Sequence, residues 1–266
     1  MKSLFTVLAL SATLGLCAAE ATASTTATDS VETKTPFYKH NIKMNVSSLT
    51  LNNYSFSFER ALTRKTSFVA GYRIMPNTVV GDMAVSKFLA DKYLEDDNDL
   101  KDHLDKANFS NQAFTGELRY YTGKHAGPRG FYVGAYGRYT DMSFSYQDTY
   151  NTTLQNYDLP YKGKLTGFGG GLMVGAQWLV TNRITFDWYI AGAHYGNMGG
   201  DVNVAQDLSE LPESEKRELE ADVEERFTIG GRQLIDATVT DAGVHGKVDA
   251  PFFGIRGFGF NLGIAF

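Results

Sequence analysis

In eight stretches between Asn41 and the last residue, large apolar side chains recur at every second position, against small or polar ones between them. That period of two belongs to β-strands with different surroundings on their two faces. The first such stretch, Asn41 to Leu51, sets Ile42, Met44 and Val46 against Lys43, Asn45 and Ser47, and then slips at Ser47-Ser48. A β-bulge there would return Leu49 and Leu51 to the apolar face before a tight turn at Asn52-Asn53. Tyr54, Phe56 and Phe58 oppose Ser55, Ser57 and Glu59 in the second strand, and Phe68, Ala70, Tyr72 and Ile74 oppose Val69, Gly71 and Arg73 in the third. The fourth, Gln112 to Tyr121, sets Phe114, Gly116, Leu118 and Tyr120 against Thr115, Glu117 and Arg119. In the fifth, Gly130 to about Tyr146, Phe131, Val133, Ala135 and Tyr139 oppose Tyr132, Gly134, Tyr136 and Arg138. The sixth turns Phe168, Leu172, Val174, Ala176 and Trp178 away from Gly167, Gly169, Gly171, Gly175 and Gln177. The seventh opposes Ile184, Phe186, Trp188 and Ile190 to Thr185, Asp187 and Tyr189. The last, Phe252 to Phe266, presents Phe258, Phe260, Leu262, Ile264 and Phe266 on one face and Gly257, Gly259, Asn261, Gly263 and Ala265 on the other.

Eight strands with an apolar outside and a small or polar inside predict an all-β fold, an eight-stranded antiparallel transmembrane barrel. An even count returns the C-terminus to the side on which strand one begins. The connections after strands two, four and six are then short, while those after strands three, five and seven are long, roughly 35, 15 and 55 residues, and long loops are usually functional. The stretch Leu94 to Asp105 reads as a solvated acidic loop or a short surface helix. The longest connection, Gly196 to Pro251, contains the one predicted helix. Pro212 suits its first turn, and Leu219, Val223 and Phe227 recur at fourfold spacing between Glu213 and Phe227, a narrow stripe expected to pack on the barrel rim. Outward aromatics near the termini's side, namely Phe68, Tyr120, Phe131, Trp178, Phe186, Trp188 and Phe266, form an interfacial girdle.

The chain carries 15 Tyr, 18 Phe and 27 Gly, a net charge of −5, and no run of eighteen apolar residues. That combination excludes helical membrane spans and argues against nucleic-acid binding. Residues 1–23 read as a signal peptide: Lys2, an apolar stretch from Leu4 to Leu16, and small residues Ala19, Ala21 and Ala23 for cleavage. Cys17 leaves lipidation open, although Leu16 stands where a small residue is wanted; cleavage after Ala19 to Ala23 removes the only cysteine. Residues 24–38 are rich in Thr, Ser and Ala and form a disordered leader, followed by the barrel at 39–266.

The closing aromatic with apolar residues at alternate positions before it resembles the terminal strand of bacterial outer-membrane β-barrels, which the barrel assembly machinery recognises. Phe258, Phe260, Leu262, Ile264 and Phe266 would carry that assembly signal. The segments NYSFSFERAL (Asn53 to Leu62) and GIRGFGFNLGIAF (Gly254 to Phe266) resemble the opening hairpin and closing strand of an uncharacterised family of small outer-membrane β-barrels of Bacteroidetes-type bacteria, a domain of unknown function. The resemblance covers about Lys39 to Phe266. It implies an OmpA-like eight-stranded barrel in the outer membrane of a Gram-negative cell, and no catalytic residues.

Lys43, Arg73, Arg119 and Arg138 fall on the inward face with Glu59, Glu117 and Asp187, and are expected to fill the lumen as a paired network in which Arg138 and Asp187 take part. None of His40, His103, His125, His194 and His245 sits in a nucleophile motif; His194, at the top of strand seven, is the one candidate for rim catalysis. Gly167 to Gly171 lies within a strand and lacks the Lys-Ser/Thr of a phosphate loop. No metal spacing and no cofactor motif are present, and no catalytic residue is assigned. The expected partners are outer-membrane lipid, the assembly machinery and an extracellular partner met through the loops, with the barrel a monomer. A rim enzyme acting on lipid or peptide and a narrow channel are the alternative functions.

Overall fold

The computed structural model describes residues 37–83, 86–87, 104–151, 156–229 and 231–266. The signal segment with Cys17, nearly all of the leader, His103 and most of the Leu94–Asp105 run lie outside the described residues. Strands β1 (His40–Asn45), β2 (Tyr54–Ala61), β3 (Thr66–Val79), β4 (Ala107–Tyr121), β5 (Gly130–Asn151), β6 (Asn156–Leu179) and β7 (Ile184–Ala205) pair antiparallel in sequence order. Helix α1 (Glu213–Arg226) and the short strands β8 (Thr228–Ile229), β9 (Arg232–Gln233) and β10 (Ile235–Thr240) precede β11 (Gly243–Ala265). Pairing of β11 with both β7 and β1 closes a ring of eight strands, with Asn41 opposite Ala265 and Asn45 opposite Asn261.

The first strand is shorter than its alternation predicts. Instead of bulging at Ser47-Ser48 and running on to Leu51, it stops at Asn45, and Ser47–Leu51 forms a 3-10 turn with Asn52 in the left-handed region at φ 54°. The local side chains compete with the ladder for the backbone. Asn45 Oδ1 accepts from the Ser48 amide at 2.8 Å, the Ser48 hydroxyl lies within donating reach of the Asn53 carbonyl at 2.7 Å and the Asn45 carbonyl at 3.0 Å, and Ser47 Oγ accepts the Phe260 amide at 3.1 Å.

Strands β5, β6, β7 and β11 run 22, 24, 22 and 23 residues, about twice what a tilted membrane-crossing strand needs. Most of what alternation alone assigns to the second and third long loops is therefore sheet. Asn151 pairs with Asn156, and Ala205 with Gly243, so the ladder of β5 and β6 extends through most of the loop expected between them, and the expected 196–251 connection narrows to residues 206–242. The wall is uneven, low at β1 and β2 with six and eight residues, and tall opposite.

The upper part of the tall wall has a core of its own. Leu159, Val204, Leu208, Leu211, Leu219, Val223, Ile235, Ala237 and Val244 bury one another, with Phe227 against them. Helix α1 thus packs on β10 in this extension rather than on the ring's rim, and it begins at Glu213 with Pro212 as its N-cap. Its Glu220 and Glu224 accept the outward amides of Val239 and Ala237 at 3.1 Å each. Four residues of helix rise about 6 Å and two residues of strand about 6.6 Å, so two glutamates one helical turn apart match alternate amides of an edge.

Around the ring below this core, the apolar positions face outward and bare. Ile42, Phe114, Phe131, Phe168, Leu172 and Ile264 are each more than half exposed, as are Phe253 and Ile255. Toward the termini, Trp178, Phe186, Phe260 and Trp188 stack in sequence across strands with ring centroids 5.7–6.0 Å apart, and His40 sits between Phe58 and Phe266.

Candidate functional site: the polar interior of the ring

The inward face holds two layers of different character. Nearest the termini, Lys43 Nζ donates to Glu59 at 2.9 Å, Asp187 at 2.7 Å and Gln177 at 2.9 Å, so its three protons are all used. Glu59 also accepts from Ser67, Tyr121 and Gln177. Arg119 grips Glu117 through Nε and Nη2 at 2.8 and 2.6 Å, reaches Asp187 at 2.9 Å, and lies over the Tyr132 ring at 4.3 Å. Tyr132 completes Asp187 with a 2.9 Å hydrogen bond. The side chains of Lys43, Glu59, Arg119 and Asp187 have no exposed surface at all, so this layer is a dry plug. Each carboxylate meets at least one cation and each cation at least one carboxylate, the condition under which charges persist without water.

Five of the seven inward charges read from the sequence, Lys43, Glu59, Glu117, Arg119 and Asp187, thus meet in one network. Arg73 and Arg138 stand outside it. Of the two residues expected to take part in the network, Asp187 does and Arg138 does not: Asp187's oxygens are taken by Lys43, Arg119 and Tyr132, while among the described residues Arg138 Nε reaches Thr115 Oγ1 alone, at 3.3 Å. Arg73 makes a long 3.5 Å contact with Asn111 Oδ1, and its Nε is buried without a partner among the described residues. The place at Glu117 is filled by Arg256 Nη1, and the Arg256 guanidinium lies over the Tyr189 ring at 4.0 Å.

Arg256 is absent from the sequence-derived set for a definite reason. Counting by twos from Phe266 through Phe258 puts Arg256 outward, and counting from Ile184 through Ile190 puts His194 outward. The ladder slips on both strands at one level: β7 gains a residue against β6 between Val174 and Gly175, and Phe258, which faces Ile190, adopts φ 52°. Above the slip the faces exchange. Tyr195, Phe253 and Ile255 are outward and more than half exposed, while His194, Phe252 and Arg256 turn in. The readable signal was Phe253 and Ile255, two large apolar residues in the wrong phase for Phe258.

His194 consequently lies inside the ring rather than at a rim. Tyr136 Oη is 3.0 Å from its Nδ1, Phe252 packs on it at 4.7 Å, and Nε2 has no partner among the described residues. Glycines give these rings room: a methyl at Gly169 would come within 3.1 Å of Phe252, and one at Gly254 would overlap the His194 ring. His40 begins β1, His125 lies exposed in the turn after β4, and His245 meets Asn203 Oδ1 at 2.6 Å on the extension's surface. Among the described residues, no serine, cysteine or acid stands beside His194 as a hydrogen-bonded partner.

A closed antiparallel ring with an apolar outside, a dry ionic plug at one end and a half-wet arginine layer above it defines the class of this protein: an eight-stranded, filled β-barrel. No protein-family model matches the chain, and no curated protein matches it.

Proposed function

We propose that the chain is an outer-membrane β-barrel of a Gram-negative bacterium, anchored by the lower ring and presenting the tall β5–β6–β7–β11 wall with α1 outside the cell for recognition. The observation that carries this reading is the outward apolar surface. Large side chains such as Phe131 and Leu172 are 64% and 72% exposed on every side of the ring, whereas a protein bathed in water rarely leaves contiguous apolar surface beyond a few hundred Å². Hydrocarbon removes that cost, and ring closure satisfies the backbone where no water is present. The stacked aromatics from Trp178 to Phe260 suit one membrane interface. The extension has its own core and so holds its shape without lipid, as a recognition surface must.

The ionic plug argues for display over conduction, since Lys43, Glu59, Arg119 and Asp187 leave no water path between them. Burial of His194 against Tyr136 and Phe252, without a nucleophile, argues for display over rim catalysis. Membership of the uncharacterised Bacteroidetes-type barrel family belongs to the same proposal and rests on the opening and closing strands. Cell fractionation tests the reading: the protein is expected in the outer membrane, resistant to carbonate extraction, with a folded form that shifts in electrophoretic mobility on heating. Recovery in a soluble fraction would overturn it.

A further inference from the structure

We infer that the upper interior of the barrel is an oxyanion-binding cup in which Arg73 and Arg138 grip a phosphate or carboxylate entering from the low side of the wall. Charge is the first argument. Five cationic side chains, Lys43, Arg73, Arg119, Arg138 and Arg256, face three carboxylates, Glu59, Glu117 and Asp187, across the described interior. The plug and Arg256 use all three acids, so the surplus falls on Arg73 and Arg138, which have no acidic partner among the described residues. These two guanidiniums and Arg256 stand close enough to repel one another, and His194 feels all three. A fold that neutralises every charge of its lower layer and leaves two arginines unmatched above it has built a site for an anion it does not itself supply.

Geometry is the second argument. Each guanidinium carries five N–H donors, yet among the described residues Arg73 and Arg138 each make one hydrogen bond, of 3.5 and 3.3 Å. The remaining donors form two forks suited to bidentate oxyanion contact. Water reaches this layer: the Arg256 side chain is 16% exposed and Arg73 and Arg138 are half-buried, against zero exposure in the plug. Access follows from the uneven wall. Arg73 pairs with Ser55, one residue from the start of β2, so it stands where the low wall ends, whereas β5 continues thirteen residues past Arg138 to Asn151. Gly71, next to the layer on the inward face, leaves space, since a methyl there would meet nothing nearer than 3.7 Å.

The test uses the full chain folded in zwitterionic detergent, titrated with inorganic phosphate and, in parallel, with succinate, against chloride at equal ionic strength. Thermal unfolding and calorimetry read the binding. One of the two oxyanions is expected to raise the unfolding midpoint beyond chloride, and which one does so tells phosphate from carboxylate chemistry. Arg73→Gln and Arg138→Gln should each weaken that binding about tenfold or more, the scale of one lost charge-assisted hydrogen bond, while Arg183→Gln at the opposite rim leaves it unchanged. Both cup variants are expected to fold with unliganded midpoints at or above the parent's, because each removes an uncompensated charge. Phosphate and succinate indistinguishable from chloride, binding intact in both cup variants, or cup variants less stable than the parent would each overturn the inference. A barrel that still shifts on heating but binds neither anion removes the cup and leaves the membrane reading standing.

Discussion

At the scale of single residues, two arginines that look alike in sequence have opposite effects. Arg119 and Arg138 both sit on inward phases of neighbouring strands, and Thr115, four residues before Arg119 and so above it on β4, is Arg138's cross-strand partner. Arg119 has no exposed side-chain surface and holds Glu117 and Asp187. Arg119→Met is expected to destabilise the folded barrel by about 3–5 kcal/mol, because it leaves two buried carboxylates short of a cation, Glu117 keeping only Arg256 and Asp187 only Lys43. Arg138→Met removes like-charge repulsion and one weak hydrogen bond, and is expected to leave stability unchanged or raise it by on the order of 1 kcal/mol. Urea unfolding of both variants in detergent checks the pair; equal losses would mean that Arg138 is paired after all. Phe258 is the second residue of note: its φ of 52° is one a non-glycine residue rarely adopts, and Phe258→Gly should relieve that strain while removing an outward ring.

At the scale of elements, β10 is an added edge on β11, and edges left bare invite pairing with other chains. Glu220 and Glu224 blunt it by accepting two of its free amides. Replacing both by Ala is expected to loosen α1 from β10 and to speed trypsin cleavage within residues 207–241 severalfold, with the heat-shifted mobility of the barrel unaltered. Unchanged cleavage would show that Leu219 and Val223 hold the helix without them. The closing strand gives a second expectation. Phe266 is 50% exposed, lies 5.6 Å from His40 in a tilted ring contact, and exchanges backbone hydrogen bonds with it at 2.9 and 3.0 Å. Phe266→Asp therefore places a charge beside the ring closure and should deplete folded barrel in the outer-membrane fraction; normal amounts would count against Phe258 to Phe266 as an assembly signal.

For the whole molecule, two cores divide the work. The ring is held by its ladder and ionic plug, the extension by the Leu159–Val244 cluster, and the tall strands pass from one to the other. Replacing residues 207–241 by a short turn keeps Ala205 beside Gly243 and should leave a folded, heat-shifted barrel that lacks α1 and β10. Loss of the folded form would mean that the extension is part of the ring's stability. Planar-bilayer recordings of the intact protein are expected to show no steady conductance of porin size, because the plug fills the lumen; removing one plug cation, as in Lys43→Ala, is the variant in which leakage should first appear.

The sequence by itself determined the ring: eight alternating stretches, their inward and outward faces over most of their length, an even count that brings the ends together, and a helix after Pro212. Alternation is local, so a strand whose two faces meet different surroundings writes it into every second residue. Only the tertiary structure decided where strands end, where faces exchange and which charges meet. Beyond the ring, the upper strands of β5, β6, β7 and β11 face water or a small separate core, and their weaker alternation reads as loop. The slip at Ile190 and Phe258 re-aims His194 and Arg256 because one added residue reverses every later face. Lys43 finds Asp187 across 144 positions of chain, and Arg256 rather than Arg138 completes Glu117. Such pairings depend on the heights at which strands stand beside one another, a quantity carried by hydrogen-bond register around the closed ring and by no single stretch of residues.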